Sequence, residues 1–147
     1  MFSKLDLRDG YHQLPVAEDE QYKTGFTCCY GSFEWRVMPM GLCNAPSHFQ
    51  RVMNHVFFDL LDRGVLVYLD DVLIYSRTLE EHRKLLRAVF AKLKEFKLHI
   101  KESKCHLLMA SVEFLGHVLD ADGVHVEAGK VKALSAWPVP KNLNEVQ

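Results

Sequence analysis

Two rhythms of apolar and polar positions run along this chain and replace one another several times. Residues 2–7, Phe2-Ser3-Lys4-Leu5-Asp6-Leu7, read as a short strand, followed by a turn at Arg8-Asp9-Gly10 where glycine admits backbone angles other residues resist. Leu14, Pro15 and Val16 add a brief extended piece before an acidic loop, Glu18-Asp19-Glu20. Aromatic and β-branched runs at 24–30 and 33–37, separated by Gly31-Ser32, predict a hairpin. The period then lengthens. Asn44 stands where it can cap a helix opened by Pro46, and Phe49, Val52, Met53, Val56, Phe57, Leu60 and Leu61 recur at three- and four-residue spacing until Gly64 ends it.

Residues 65–69 and 72–75 are nearly uninterrupted apolar runs punctuated only by Asp70-Asp71. A second amphipathic helix follows, with Leu79, Leu86, Val89, Phe90, Leu93 and Phe96 on one face and basic residues on the other. Residues 112–119 read as a strand that turns at Asp120-Ala121-Asp122-Gly123, and 128–137 as a third helix stopped before Pro138 and Pro140. No internal repeat or low-complexity tract is present.

Composition narrows the class. With 147 residues, 48% hydrophobic and 25% charged, the chain has the make-up of one globular domain able to bury a core. No apolar run approaches the roughly 18 residues of a membrane span, and Met1 leads into Phe2-Ser3-Lys4 rather than a basic and then apolar leader. The expectation is an intracellular, untargeted protein without a membrane, in the cytoplasm. Cys28, Cys29, Cys43 and Cys105 lack paired metal-ligand spacing, which favours free thiols over a zinc site. The eight histidines form no H-x-x-x-H-like pair on one helix face, and most are expected at the surface or lightly packed.

A net charge of −1 argues against a protein that coats nucleic acid indiscriminately. Residues 77–104 nevertheless hold nine Lys or Arg against four Glu. That excess is either a solvated helix face or a set of phosphate contacts.

The Asp70-Asp71 pair is the most unusual feature. Carboxylates between two apolar strands lose several kcal/mol of hydration unless something compensates them. In an antiparallel hairpin both would occupy the tight turn, where side-chain alternation is broken and both can approach one point. A plain turn needs no metal, and nine Asp give roughly half an Asp-Asp pair by chance, so the dipeptide alone is weak. Tyr68-Leu69-Asp70-Asp71 between apolar strands says more, and Asp6, near the end of the first strand, is a candidate third ligand. Three carboxylates from two stretches would offer hard oxygen ligands to a pair of Mg²⁺ ions, the arrangement phosphoryl transfer uses.

Six blocks taken together carry a resemblance. Leu5-Asp6-Leu7-Arg8-Asp9-Gly10-Tyr11-His12-Gln13, Tyr22-Lys23-Thr24-Gly25-Phe26, Met38-Pro39-Met40-Gly41-Leu42-Cys43-Asn44-Ala45-Pro46, Phe49-Gln50, Tyr68-Leu69-Asp70-Asp71 and Phe114-Leu115-Gly116-His117 resemble, in order and spacing, the reverse transcriptase of Ty3/gypsy-type retrotransposons. The resemblance spans nearly the whole chain. It implies an α+β polymerase palm over 1–125, with a small antiparallel sheet packed on two helices, a partial fingers hairpin within 14–40, and the start of a thumb or connection at 126–147.

It also implies roles. Asp6, Asp70 and Asp71 match the metal-binding catalytic triad, Asp71 more peripherally, with Leu7 offering a backbone carbonyl to one of two Mg²⁺ or Mn²⁺ ions. The amides of Asp9 and Gly10 match the triphosphate site. Tyr11 matches the position that discriminates sugars, ordinary core packing being the alternative. Lys23, Met40 and Gly41 fall in the fingers and nucleotide pocket, and Phe114, Leu115, Gly116 and His117 in the hairpin that grips the primer end. Met40 stands where phenylalanine is usual and His48 where threonine is common.

The implied reaction is addition of deoxynucleoside monophosphate from a triphosphate to a primer 3′-hydroxyl on an RNA or DNA template. The chain is expected to be a piece of a polyprotein, without the leading fingers segment, most of the thumb, ribonuclease H or integrase. A catalytically incomplete nucleic-acid-binding remnant is the alternative, and an RNA-templated RNA polymerase is disfavoured by Tyr11.

Overall fold

Strand alternation decides what each face of the central sheet shows, because successive side chains point to opposite sides. The computed structural model describes residues 1–137. β1 (Phe2–Asp6) pairs antiparallel with β5 (Asp71–Tyr75), β5 with β4 (Val65–Tyr68), and the other edge of β1 with β6 (His106–Met109), giving the order β4-β5-β1-β6. The registers Ser3↔Ile74 and Leu5↔Val72 turn Leu5, Val72 and Ile74 to one side; Lys4↔Leu73 and Asp6↔Asp71 turn charged residues to the other.

The apolar side is covered by α1 (Ala45–Val56) and α2 (Leu79–Glu95), the two helices the pattern predicted. Phe49, Met53 and Val56 from α1 and Val89 and Leu93 from α2 close over Leu5, Val65, Val72 and Ile74. Each large side chain buried this way contributes about 1.5–3 kcal/mol before the entropy of ordering it. α2 opens with a reciprocal cap: Glu81 N donates to Thr78 Oγ1, and Thr78 N donates to the Glu81 carboxylate. α1 has Pro46 in its first turn but no side-chain bond from Asn44.

α1 also stops at Val56, well before Gly64. Phe57 is fully buried while Phe58 is exposed, and the chain descends through tight turns with Asp62 in the left-handed region at φ 59°. Apolar residues at 57, 60 and 61 suit those turns as well as they suit a helix, so periodicity alone misplaced the end.

His82 is the exception among histidines expected mostly at the surface or lightly packed. It is fully buried, with Nε2 2.7 Å from Ser3 Oγ and Nδ1 2.9 Å from Ser76 Oγ. Ser76 Oγ donates to Thr78 O, so Nδ1 supplies the proton on that side and Nε2 accepts from Ser3. Burial, and then the nearby N-terminal ammonium, lower its pKa, which agrees with a neutral ring.

On the sheet's charged side, β7 (Val112–Phe114), β8 (His117–Leu119) and β9 (Val124–Val126) form a second antiparallel sheet. Val112 and Phe114 bury themselves on Leu73. The single strand expected over 112–119 is therefore folded in two, with Leu115 (φ 50°) and Gly116 (φ 74°) forming the turn. The turn after it is as expected, with Asp120 Oδ1 accepting from Asp122 N and Gly123 N. α3 (Ala128–Ser135) is shorter than the expected 128–137, and Pro138 and Pro140 lie outside the described residues.

β2 (Phe26–Cys28) and β3 (Gly31–Phe33) make the predicted hairpin, all six residues exposed. Its turn is Cys29-Tyr30, not Gly31-Ser32, because Gly31 pairs with Cys28 inside the ladder. Residues 18–24, expected in part as an acidic loop, wind into a 3-10 helix, Glu18–Thr24.

Candidate active site

β1, β4 and β5 bring the three singled-out carboxylates to one end of the sheet. Asp6 faces Asp71 across the β1–β5 ladder, and Leu7 N donates to Asp70 O at 2.9 Å. Tyr68 pairs with Asp71, so the hairpin turn consists of Leu69 and Asp70, with Leu69 left-handed at φ 51°. Asp71 is thus the first residue of β5 and not part of the turn, as the apolar runs had suggested. Asp6 is 9% exposed and Asp70 and Asp71 are half-buried.

Two lysines face this group. Lys104 Nζ donates to Asp6 Oδ2 at 3.1 Å, and Lys4 Nζ stands 3.1 Å from Asp71 Oδ1. The second contact is an ion pair whose direction misses hydrogen-bond geometry, so this buried Asp71 oxygen has a cation beside it and no hydrogen-bond partner. The Lys104 ammonium is held above its ordinary pKa by the hydrogen bond and charge of Asp6, then by Asp70 and Asp71. Tyr11 is raised by burial first, then by Asp70 and Tyr68. With Asp6 and Asp71 each turned to a lysine, no three acid, His or Cys side chains among the described residues are gathered around one point.

The donor set nonetheless suits a hard divalent cation. Asp6, Asp70 and Asp71 supply only oxygen, they arrive from adjacent strands, and one Asp71 oxygen is buried and unbonded. The two ammonium groups mark where positive charge is already favoured.

Gly10 fixes the approach of the first loop. A Cβ there would lie 2.9 Å from Phe49 Cζ and 3.2 Å from Asp70 Cβ, so the backbone sits where no side chain fits. Asp9 precedes it, exposed and left-handed at φ 47°. Tyr11 is half-buried with its ring 5.1 Å from that of Phe49, so it packs on the core and faces Asp70 at once. Met40 is 72% exposed and shares a groove with Lys23, Phe26, Trp35 and Gly41. Lys23 is paired with Glu20 and lies 5.7 Å from the Tyr22 ring centroid.

Of the other hairpin, Phe114 is committed to the core against Leu73, while Leu115 and His117 are exposed and Gly116 O accepts from Lys130 Nζ. The basic face of α2 is separated from the carboxylates by the sheet itself, and Lys92 is paired with Asp59 and Glu95. This favours the solvated reading of that charge.

Sequence reasoning missed Lys4, Lys104 and Gln50. Lys4 was legible, since it lies two residues before Asp6 on a strand and must share its face. Lys104 reaches Asp6 from the unforeseen neighbourhood of β6. Gln50 projects from α1 to the 67–69 backbone, which no local pattern signals.

The family profile described as reverse transcriptase (RNA-dependent DNA polymerase) matches residues 1–119. The chain belongs to the reverse transcriptase family. It is 40% identical over 146 residues to the retrovirus-related Pol polyprotein from transposon 297 of Drosophila melanogaster, covering 99% of this chain and 14% of that one. It is 35% identical over 147 residues to the transposon Tf2-3 polyprotein of Schizosaccharomyces pombe, covering 100% of this chain and 11% of that one. These relatives bear out the Ty3/gypsy-type resemblance, and the chain spans about a seventh of their length or less.

Among solved structures, the foamy viral protease-reverse transcriptase in complex with double-stranded DNA superposes with a TM-score of 0.90 at 29% identity, covering 99% of this chain and 25% of that one. The same viral protein in complex with an RNA/DNA hybrid gives 0.85 at 29% identity, covering 99% and 20%. The expected α+β class, antiparallel sheet packed on two helices, is therefore borne out. No helix among the described residues is long and apolar enough to cross a membrane.

Proposed function

We propose that this chain is the catalytic palm, with part of the fingers, of an RNA-directed DNA polymerase carried in a retroelement polyprotein. The observation that carries the reading is the arrival of Asp6, Asp70 and Asp71 at the same end of one sheet, on backbone already in register, in a chain of this family. Residues 1–125 are the palm, 14–40 within them the partial fingers, and 126–147 begin the thumb or connection. The setting is intracellular.

Asp6 and Asp70 are the principal ligands and Asp71 the more peripheral one, with the Leu7 carbonyl beside them. Two Mg²⁺ or Mn²⁺ ions held there would lower the pKa of the primer 3′-hydroxyl and neutralise the triphosphate. Turning Asp6 and Asp71 from their lysines to such ions needs side-chain rotation, since β1 and β5 are already in register. The amides of Asp9 and Gly10 receive the triphosphate, on a backbone left open by the missing side chain of Gly10. Tyr11 lies over the sugar, where its ring fills the space of a 2′-hydroxyl. Met40, Gly41 and Lys23 border the nucleotide, and the Phe114–His117 turn bears on the primer end, Phe114 as its anchor. The template is RNA or DNA, and deoxynucleoside triphosphates are the substrates.

Primer extension on an RNA template with Mg²⁺ tests this, run on the chain and on a retrotransposon Pol polyprotein whose matching segment it replaces. Extension by the exchanged polyprotein is expected, with Asp70→Asn lowering it at least ~10³-fold. Equal extension by Asp70→Asn would remove the catalytic assignment, and no extension by the unaltered exchange would favour the nucleic-acid-binding remnant. Tyr11→Ala should admit ribonucleotides; unchanged selectivity would return Tyr11 to a packing role.

A further inference from the structure

The Leu69-Asp70 turn is in an uncomfortable conformation for its sequence. A leucine at φ 51° is left-handed, a region that leucine rarely enters without support from its surroundings. Glycine or asparagine would enter it readily; here the neighbours must hold it.

One side chain supplies a direct part of that hold. Gln50 Oε1 accepts from Leu69 N at 2.7 Å, and Gln50 Nε2 donates to Val67 O at 3.1 Å and to Asn54 Oδ1 at 2.8 Å. The amide orientation follows from its partners, because a backbone N–H only donates and a backbone carbonyl only accepts. Gln50 thus reads the β4 end and the turn together, from the rigid platform of α1. Its neighbour Phe49 wedges against Gly10 and Tyr11 on the other side of Asp70.

We propose that Gln50 is the positioning residue for Asp70: by gripping Val67 O and Leu69 N it sets where the Asp70 carboxylate stands. The role is directional. Asp70 O is already fixed by Leu7 N, so the backbone on one side of the carboxylate is held by β1 and on the other by Gln50. Losing one anchor lets the turn relax from the left-handed state and carries Asp70 away from Asp6, while the half-buried Gln50 contributes little to the apolar core. This rests on the reading of Asp70 as a metal-binding carboxylate.

The test compares wild type, Gln50→Met, which keeps the length but neither accepts nor donates as an amide, and Gln50→Glu, which keeps the acceptor for Leu69 N. Mn²⁺ binding to the chain is followed by electron paramagnetic resonance, with Leu69 amide hydrogen exchange and melting temperature measured alongside. Gln50→Met should weaken Mn²⁺ binding at least tenfold and speed Leu69 exchange at least tenfold, with the melting temperature little changed; Gln50→Glu should fall between. In the exchanged polyprotein, kcat should drop with little change in KM for the deoxynucleotide. Wild-type Mn²⁺ affinity in Gln50→Met would overturn the proposal, as would a loss that merely tracks a fall in melting temperature in both variants. If wild type and Asp70→Asn bind Mn²⁺ alike, the metal reading of Asp70 fails instead, and with it the reason to position that carboxylate.

Discussion

β4–β5 and β2–β3 are both antiparallel pairs closed by two residues, but their surroundings differ. The first lies in the four-stranded sheet, with Val65, Val72, Leu73 and Ile74 buried and its turn tied to Leu7 and Gln50. The second has every strand residue exposed and is ordered mainly by side chains within or next to it: Phe26 packs at a tilt near Phe33 and the following Trp35, and Thr27 bonds Ser32. The contrast separates two ways of shaping a turn. Long-range contacts hold Leu69 in a conformation a leucine does not choose, while β2–β3 rests mainly on neighbouring residues and leaves its aromatic surface exposed.

The sharpest way to break this contrast is to remove one phenylalanine from the α1 face that packs beneath β4–β5 and one from β2–β3 itself. Phe49→Ala should cost about 3–5 kcal/mol by urea denaturation, because a fully buried ring leaves a cavity under Gly10 and Tyr11. Phe33→Ala, in a side chain 46% exposed, should stay within about 1 kcal/mol. Equal costs would mean that the two hairpins share one core.

Gly10→Ala probes the same wedge from the loop. The new methyl would press on Phe49 and Asp70, which overpacking arguments put at about 1–3 kcal/mol in the same denaturation measurement. No loss of stability would mean the loop can retreat, and that its closeness to Asp70 is not enforced.

A smaller effect sharpens the comparison through the buried side of the sheet. His82 has its pKa lowered in the fold, below the value of 6.5 it regains on unfolding. Between those values the unfolded state binds more protons, so stability is full above about pH 6.5 and declines as pH falls through it, by at most ~1.4 kcal/mol per pH unit for one site. Denaturation across pH 5 to 8 should show that decline, and His82→Gln should flatten it; an unchanged slope would assign the decline to other groups.

Much of this was legible because the sheet and helices announce themselves locally. Leu5 alternates with Lys4 and Asp6, Phe49, Met53 and Val56 keep a helical period, and Asp70-Asp71 interrupts the apolar run of 65–75 as nothing else does. What escaped is long-range. β6 offers no alternation to read, since His106, Leu107, Leu108 and Met109 are all exposed, and it becomes a strand by pairing with β1 across a bulge. The tip of β2–β3 was assigned to Gly31-Ser32 because glycine is the usual turn signal, yet the ladder absorbed it. Lys104 meets Asp6 only once β6 has brought the neighbouring segment alongside β1.

The two-residue rhythm of β1 has a consequence for how this protein tolerates error. Sliding β1 by a single step would drive Asp6 and Lys4 among the helices and turn Leu5 to the face that now holds the carboxylates. A chain misaligned in this way would lose its core contacts in the same step that misplaced the acids. Selection for a sound interior then polices the chemistry as well, without acting on the reaction at all.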